Sequence, residues 1–334
     1  MQAPSPQRGR WFRRLLRLLL AGFLLLNVLA FFHGRAMGRY STNDARTAAP
    51  EALAPLTKLK VLLLGADIPR PENKITPQDY GMDFETLYFS GAFEVRLEAW
   101  HIRRPSTHGL VLLFHGHGAA KDSLLPAAEA FLAMGWDCAL IDFHGSGGSG
   151  ASRTSIGWHE AHDVAAAYRH FVPQYPDQPI VLHGISMGSA AVLRAVHELG
   201  ISPSGVVLEL PYDSLLNAAR TRFHALHVPA WPAAELLVLY GGLSNGFNGF
   251  ALNPAHHARS VTCPALVFNG ELDRRAPPAQ AINVFENLAG PRTRRQFAGI
   301  GHRTLVQHDR PAWLATMAAF LEVVEAVPIR RVSN

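Results

Sequence analysis

The sequence predicts an α/β fold: a mostly parallel, doubly wound sheet with helices on both faces, preceded by one membrane-type helix. Three observations predict it. Five short, largely apolar runs, at residues 110–114, 138–143, 180–182, 206–210 and 265–268, read as strands buried on both faces. Segments of helical period separate them, as in a crossover-connected sheet. A basic N-terminus runs into an apolar stretch, residues 18–32, that is interrupted only by Asn27.

The N-terminal stretch comes first. Arg8, Arg10, Arg13, Arg14 and Arg17 precede it, and counting from Leu15 gives 18 residues, near the lower limit for crossing about 30 Å of hydrocarbon. A cleaved signal peptide shares this layout, with Val28-Leu29-Ala30 as its cut. An uncleaved anchor is favoured because the apolar run continues through Phe31 and Phe32 past that cut. Either way the basic end stays in the cytoplasm and the following domain lies on the non-cytoplasmic side. Residues 1–33 are therefore read as anchor or signal, 34–60 as an Ala/Pro-rich linker, and 61–334 as the folded domain.

Within that domain, residues 93–102 alternate, with Phe93, Val95, Leu97 and Ala99 on one side, as a half-buried antiparallel strand should. The apolar runs follow, with helices expected at 123–134, 157–171, 187–199, 278–288 and 312–324. The last carries one stripe of Trp313, Leu314, Met317, Phe320, Leu321 and Val324. Residues 212–262 are too long for a crossover. They read as a cap inserted after the sixth strand, with Trp231, Leu236, Leu237, Leu239 and Tyr240 as an apolar wall.

Composition narrows the function. The chain of 334 residues is 48% hydrophobic and 17% charged, against a usual charged share of about 25%, which excludes a disordered protein. Two cysteines, Cys138 and Cys263, exclude a disulfide scaffold and a thiolate zinc cluster. The net charge of +5 sits in the first 60 residues, which carry +8, so no basic face is left for nucleic acid.

The sharpest motif is Gly184-Ile185-Ser186-Met187-Gly188, between a strand and a helix. This is the layout of a nucleophile elbow, where a serine sits on a strained turn and flanking glycines allow close packing. A serine hydroxyl needs a base, and the base an orienting acid. Asp273 lies just past the strand at 265–268, with Glu271 as a nearby rival. His302 ends the glycine-rich loop Gly299-Ile300-Gly301 before the final helix. The order Ser186, Asp273, His302 is that of a serine hydrolase on such a sheet. The loop His115-Gly116-His117-Gly118, after the strand at 110–114, supplies an oxyanion-hole candidate. The backbone N–H groups of His117 and Met187 are the expected donors. This chemistry calls for no cofactor and no metal.

The chain resembles the α/β-hydrolase superfamily, in its serine aminopeptidase-like and monoacylglycerol-lipase-like group, from about residue 87 to 324. The resemblance rests on His115-Gly116-His117-Gly118, Asp142-Phe143-His144-Gly145, the Gly184–Gly188 elbow, the turn at 270–273 and Gly301-His302. It implies Ser186 as nucleophile, Asp273 as acid, His302 as base, and His117 and Met187 as oxyanion donors. One departure stands out: the family usually has Arg-Gly where this chain has His144-Gly145.

Other patterns are weaker. Gly145-Ser146-Gly147-Gly148-Ser149-Gly150 imitates a dinucleotide loop, but no strand-end carboxylate follows some 20 residues on, so a loop beside the active site is the better reading. His159-Glu160-Ala161-His162-Asp163 is one residue short of a zinc-protease helix and reads as surface helix, with Asp163 bracing a neighbouring loop. His224, His227, His256 and His257 in the cap are expected to be solvated or to line the substrate. The expected function is cleavage of carboxylic esters of a hydrophobic, acyl-type small molecule through an acyl-enzyme. Aminopeptidase or amidase activity is the alternative, and a catalytically silent binding protein stands behind both.

Overall fold

A computed structural model describes residues 6–41, 61, 64–65, 67–225 and 227–328. Eight strands form one sheet: β1 Glu85–Ser90, β2 Arg96–Ile102, β3 Leu110–Phe114, β4 Asp137–Asp142, β5 Ile180–Ile185, β6 Gly205–Glu209, β7 Ala265–Gly270 and β8 Arg292–Phe297. Their order is β1-β2-β4-β3-β5-β6-β7-β8. Only β1 with β2 and β2 with β4 run antiparallel; every other pair is parallel. The longer helices are α1 Pro6–Met37, α2 Leu125–Ala133, α3 Glu160–Phe171, α4 Met187–Glu198, α5 Leu215–Ala225, α6 Ala233–Ser244, α7 Pro278–Asn287 and α8 Arg310–Glu325.

The apolar runs have the predicted cause. In β3, Leu110, Leu112 and Phe114 face one core, with α3 and α4, while Val111 and Leu113 face a second core, with α2 and α8. Alternate side chains point to opposite faces, so a strand buried on both must be apolar throughout. At the sheet's far edge β8 reads Arg-Thr-Arg-Arg-Gln-Phe and is mostly exposed.

Three expectations are corrected. The alternating strand begins at Arg96 rather than residue 93, because Phe93 and Glu94 adopt positive φ in a tight turn that leaves Phe93 72% exposed. The N-terminal helix does not stop at residue 33; α1 runs to Met37, and Tyr40 behind it is buried. The linker reading of 34–60 therefore fails at its start, while 42–60 lie outside the described residues.

The reason is a helix–helix contact. Ala30 and Gly34 on α1, with Gly38 just past its end, make one buried small-residue stripe at four-residue spacing, and α6 packs along it. A Cβ on Gly34 would meet the backbone nitrogen of Gly241 at 2.6 Å. Tyr240 donates its hydroxyl to Asn27 Oδ1 at 2.8 Å, and Phe31 meets its ring edge-on. Before this contact α1 is bare: its most apolar 18-residue window has a mean hydropathy of 2.3 and is only 6% buried, so the helix is long and apolar enough to cross a membrane.

Candidate active site

The site lies at the C-terminal edge of the parallel strands, where an open α/β sheet offers its loops. Between β5 and α4, Ser186 takes φ 54° and ψ −108°, a strained conformation for a residue with a Cβ. Close packing holds it there. A Cβ on Gly184 would meet the backbone of Gly188 at 2.5 Å, and Ser186 donates its N–H to the Glu209 carbonyl at 2.8 Å.

Two other loops meet this turn. His302 Nε2 lies 3.0 Å from Ser186 Oγ, and His302 Nδ1 lies 2.7 Å from Asp273 Oδ2. Asp273 is buried, and its Oδ1 accepts the N–H groups of Arg275 at 2.8 Å and Ala276 at 2.9 Å. These bonds fix the carboxylate's orientation, so Oδ2 faces the imidazole. The rival Glu271 points elsewhere: its Oε2 accepts the Gly299 N–H at 2.8 Å and braces the histidine loop.

Met187 is the first residue of α4, where a backbone N–H has no acceptor within the helix. Gly116 abuts the elbow closely enough that a Cβ on it would lie 3.6 Å from Ser186 Cβ, and His117 follows. The His117 imidazole is lowered to about 4, by burial first and by Arg222, against Glu160 and the Met37 carbonyl. It is neutral at pH 7.

Ser186, His302, His117 and Met187 border one cavity of about 250 Å³. The cap contributes Leu215, Ala218, Ala219 and Arg222 from α5, and Leu237, Val238 and Gly241 from α6. Of the five apolar cap residues expected at the wall, only Leu237 reaches it. Trp231 is 77% exposed, and Tyr240 turns to α1. In their place the end of α1 supplies Gly34 and Met37, and Gly38 follows just past it. Sequence reasoning missed these three, and it missed Arg222, Arg275 and Arg303 on the same cavity. A signal existed for the last two: each follows a candidate triad residue in the chain.

The glycine-rich loop after β4 folds around a buried carboxylate rather than opening to a nucleotide. Asp142 pairs with Lys121 and accepts from Asn73 Nδ2 at 2.8 Å and from the Gly148 N–H at 2.9 Å. The helix read as surface is not one on this side, because Glu160 and Asp163 are both fully buried. Asp163 accepts the Ala92 N–H at 2.8 Å and contacts His144 Nδ1 at 2.5 Å. Glu160 accepts from Ser155, Thr154 and the Gly157 N–H. Burial opposes charge on His144, but Asp163 and Glu160 outweigh it and raise the imidazole to about 9. Burial likewise opposes charge on Glu160, yet His144 and the serine and threonine donors take it down to about 2. His144 is thus a cation at neutral pH, which is the charge an arginine would bring to that position. His257, expected to be solvated or substrate-lining, is instead buried and stacked on His197.

A model of the family described as serine aminopeptidase, S33, matches residues 105–234. An esterase from Pyrococcus furiosus superposes with a TM-score of 0.63 at 21% identity, covering 76% of this chain and 96% of its own. The chain has the α/β-hydrolase fold. Acetyl xylan esterase 1 from a Thermoanaerobacterium species shares the fold at a TM-score of 0.55 and 19% identity, over 72% of this chain and 84% of its own. Among curated proteins, YqkD of Bacillus subtilis is 20% identical over 72% of this chain and 80% of its own length. Protein bem46 of Schizosaccharomyces pombe is 24% identical over 64% of this chain and 69% of its own.

Proposed function

We propose that this α/β-hydrolase is a membrane-anchored serine hydrolase that cleaves carboxylic esters of acyl-type substrates through an acyl-enzyme. The observation that carries the proposal is the unbroken contact from Asp273 through His302 to Ser186 Oγ at a largely apolar cavity. In this reading His302 Nε2 takes the serine proton as Oγ attacks the ester carbonyl, then returns it to the departing alcohol. Asp273 holds Nδ1 protonated and stabilises the imidazolium. The N–H groups of Met187 and His117 receive the oxyanion. Water then enters, activated by the same histidine, and releases the acid.

Ester cleavage is favoured over aminopeptidase action because no Asp or Glu is among the described residues lining the cavity, so nothing there pairs with a free α-amine. The anchor reading is favoured over signal cleavage because a cut after Ala30 would remove Asn27 and Ala30 from their packing on α6. The arginines before the apolar stretch outnumber Arg35, Arg39 and Arg46 after it, which orients the N-terminus to the cytoplasm and the catalytic domain outward.

A fluorophosphonate probe with a panel of esters and aminoacyl amides tests this proposal. Covalent labelling at Ser186 with ester turnover supports it. Faster turnover of aminoacyl amides would replace it with the peptidase reading, and inertness to both would sink it.

A further inference from the structure

The cavity has two kinds of wall. Toward α1 and α6 it is apolar, with Met37, Leu237 and Val238. On α5 and the loops after β7 and β8 it is cationic, with Arg222, Arg275 and Arg303. Along α5, Leu215, Ala218, Ala219 and Arg222 form one stripe at helical spacing. The two alanines leave space, and the guanidinium of Arg222 closes the row.

Among the described residues these cations are unpaired. Arg220, on the same helix, pairs with Glu235 at 2.6 Å. Among the described residues, the side chains of Arg222, Arg275 and Arg303 make no hydrogen bond or ion pair. Arg222 is crowded by protein although its side chain is open to the cavity, and burial, followed by the charge of Arg275, lowers its pKa. Two guanidinium groups that repel each other on the wall of one cavity are stabilised by an anion between them, and guanidinium matches carboxylate and phosphate geometry well.

We propose that Arg222 and Arg275 form an anion subsite, so that the substrate is an amphiphilic ester carrying a carboxylate or phosphate on its acyl or alcohol part. The inference rests on the ester-hydrolase reading. It makes the apolar chain lie against the α1 and α6 wall while the anion meets the cap arginines. It also adds a repulsive term against substrates with a free amine.

The test uses the full-length protein in non-ionic detergent, with matched substrate pairs. An acylglycerol 3-phosphate against the same monoacylglycerol probes phosphate; a methylumbelliferyl hydrogen suberate against the octanoate probes carboxylate. In at least one arm, kcat/KM for the anionic member should exceed the neutral one by about tenfold or more. Arg222→Gln should lower that ratio at least tenfold, Arg275→Gln should lower it less, and Arg222→Lys should keep part of it. The arm that responds identifies the anion. A ratio of one or below in both arms, or one that persists in both glutamine variants, overturns the subsite. A second readout is independent of turnover. Ser186→Ala protein should bind a 1-O-alkylglycerol 3-phosphate or an alkyl monoester of suberic acid more tightly than the uncharged 1-O-alkylglycerol. Equal affinities for all three would overturn the subsite even if no ester were hydrolysed, whereas absent hydrolysis and labelling with a retained anion preference would fault only the hydrolase reading.

Discussion

The pairing of His144 with Asp163 and Glu160 makes stability depend on pH on the alkaline side of neutrality. In the folded chain the imidazole is raised to about 9, against 6.5 when free. A group whose folded value is raised contributes fully below its unfolded value and is lost as pH rises through its folded one. The contribution is therefore complete below about pH 6.5 and gone above about pH 9. At about 1.4 kcal/mol per tenfold, that gap corresponds to roughly 3 kcal/mol. Glu160 shares the same interaction, so its lowered value adds no second amount. Urea unfolding followed by tryptophan fluorescence between pH 6 and 9.5, in non-ionic detergent, measures it. The wild type should lose stability steadily across that range. His144→Gln should start lower at pH 6 by about 3 kcal/mol or more, because it strands two buried carboxylates, and then show no alkaline loss of its own. Any other titrating group appears in both proteins and cancels. Parallel profiles for the two would refute the assignment of charge to His144.

Four further outcomes are expected. Ser186→Ala should remove covalent labelling and nearly all turnover while leaving the thermal midpoint within a few degrees; labelling of another serine would displace it as nucleophile. Asp273→Asn should lower kcat by about 10⁴ by presenting the wrong tautomer of His302, whereas Glu271→Gln, which loses only a brace on the Gly299 N–H, should cost far less. Gly34→Leu forces α1 away from Gly241, which overpacking data put at about 1–3 kcal/mol. Its kcat/KM for long-acyl esters should fall more than for acetyl esters, and equal losses would remove α1 from the substrate-facing wall. A C-terminal reporter active only outside the cytoplasm is the expected result for topology, and activity inside would reverse it.

The interior of the sheet was legible because two-sided burial writes itself into composition. Every strand from β3 to β7 carries an apolar run that no surface segment would tolerate. Edge strands carry no such mark. The polar row of β8 pairs through its backbone with β7, so its side chains remain free to be basic. The contact of Ser186, Asp273 and His302 could be anticipated from the chain because each sits in a short local context: an elbow, a strand end and a glycine loop. The cavity around them could not. Its wall depends on which distant segments touch, and periodicity says nothing of that. Ala30, Gly34 and Gly38 could be read as a small-residue spacing, yet only α6 gives that spacing a partner. Nothing in the sequence around Arg222 marks it as a residue that the fold sets on the cavity wall.

The packing of α1 on α6 also sets an order of events during synthesis. Asn27 and Tyr240 lie 213 positions apart, so at ribosomal speeds of about 5–20 residues per second roughly 10–40 s separate their emergence. For that interval the first helix waits without its companion. By the time Gly241 arrives, Ser186 has been made, but Asp273 and His302 have not. The wall beside the nucleophile can therefore close before the residues proposed to activate it exist. A nascent chain of this design holds one wall of an idle pocket, and the rest of the lining, Arg275, Ala276 and His302 among it, arrives later.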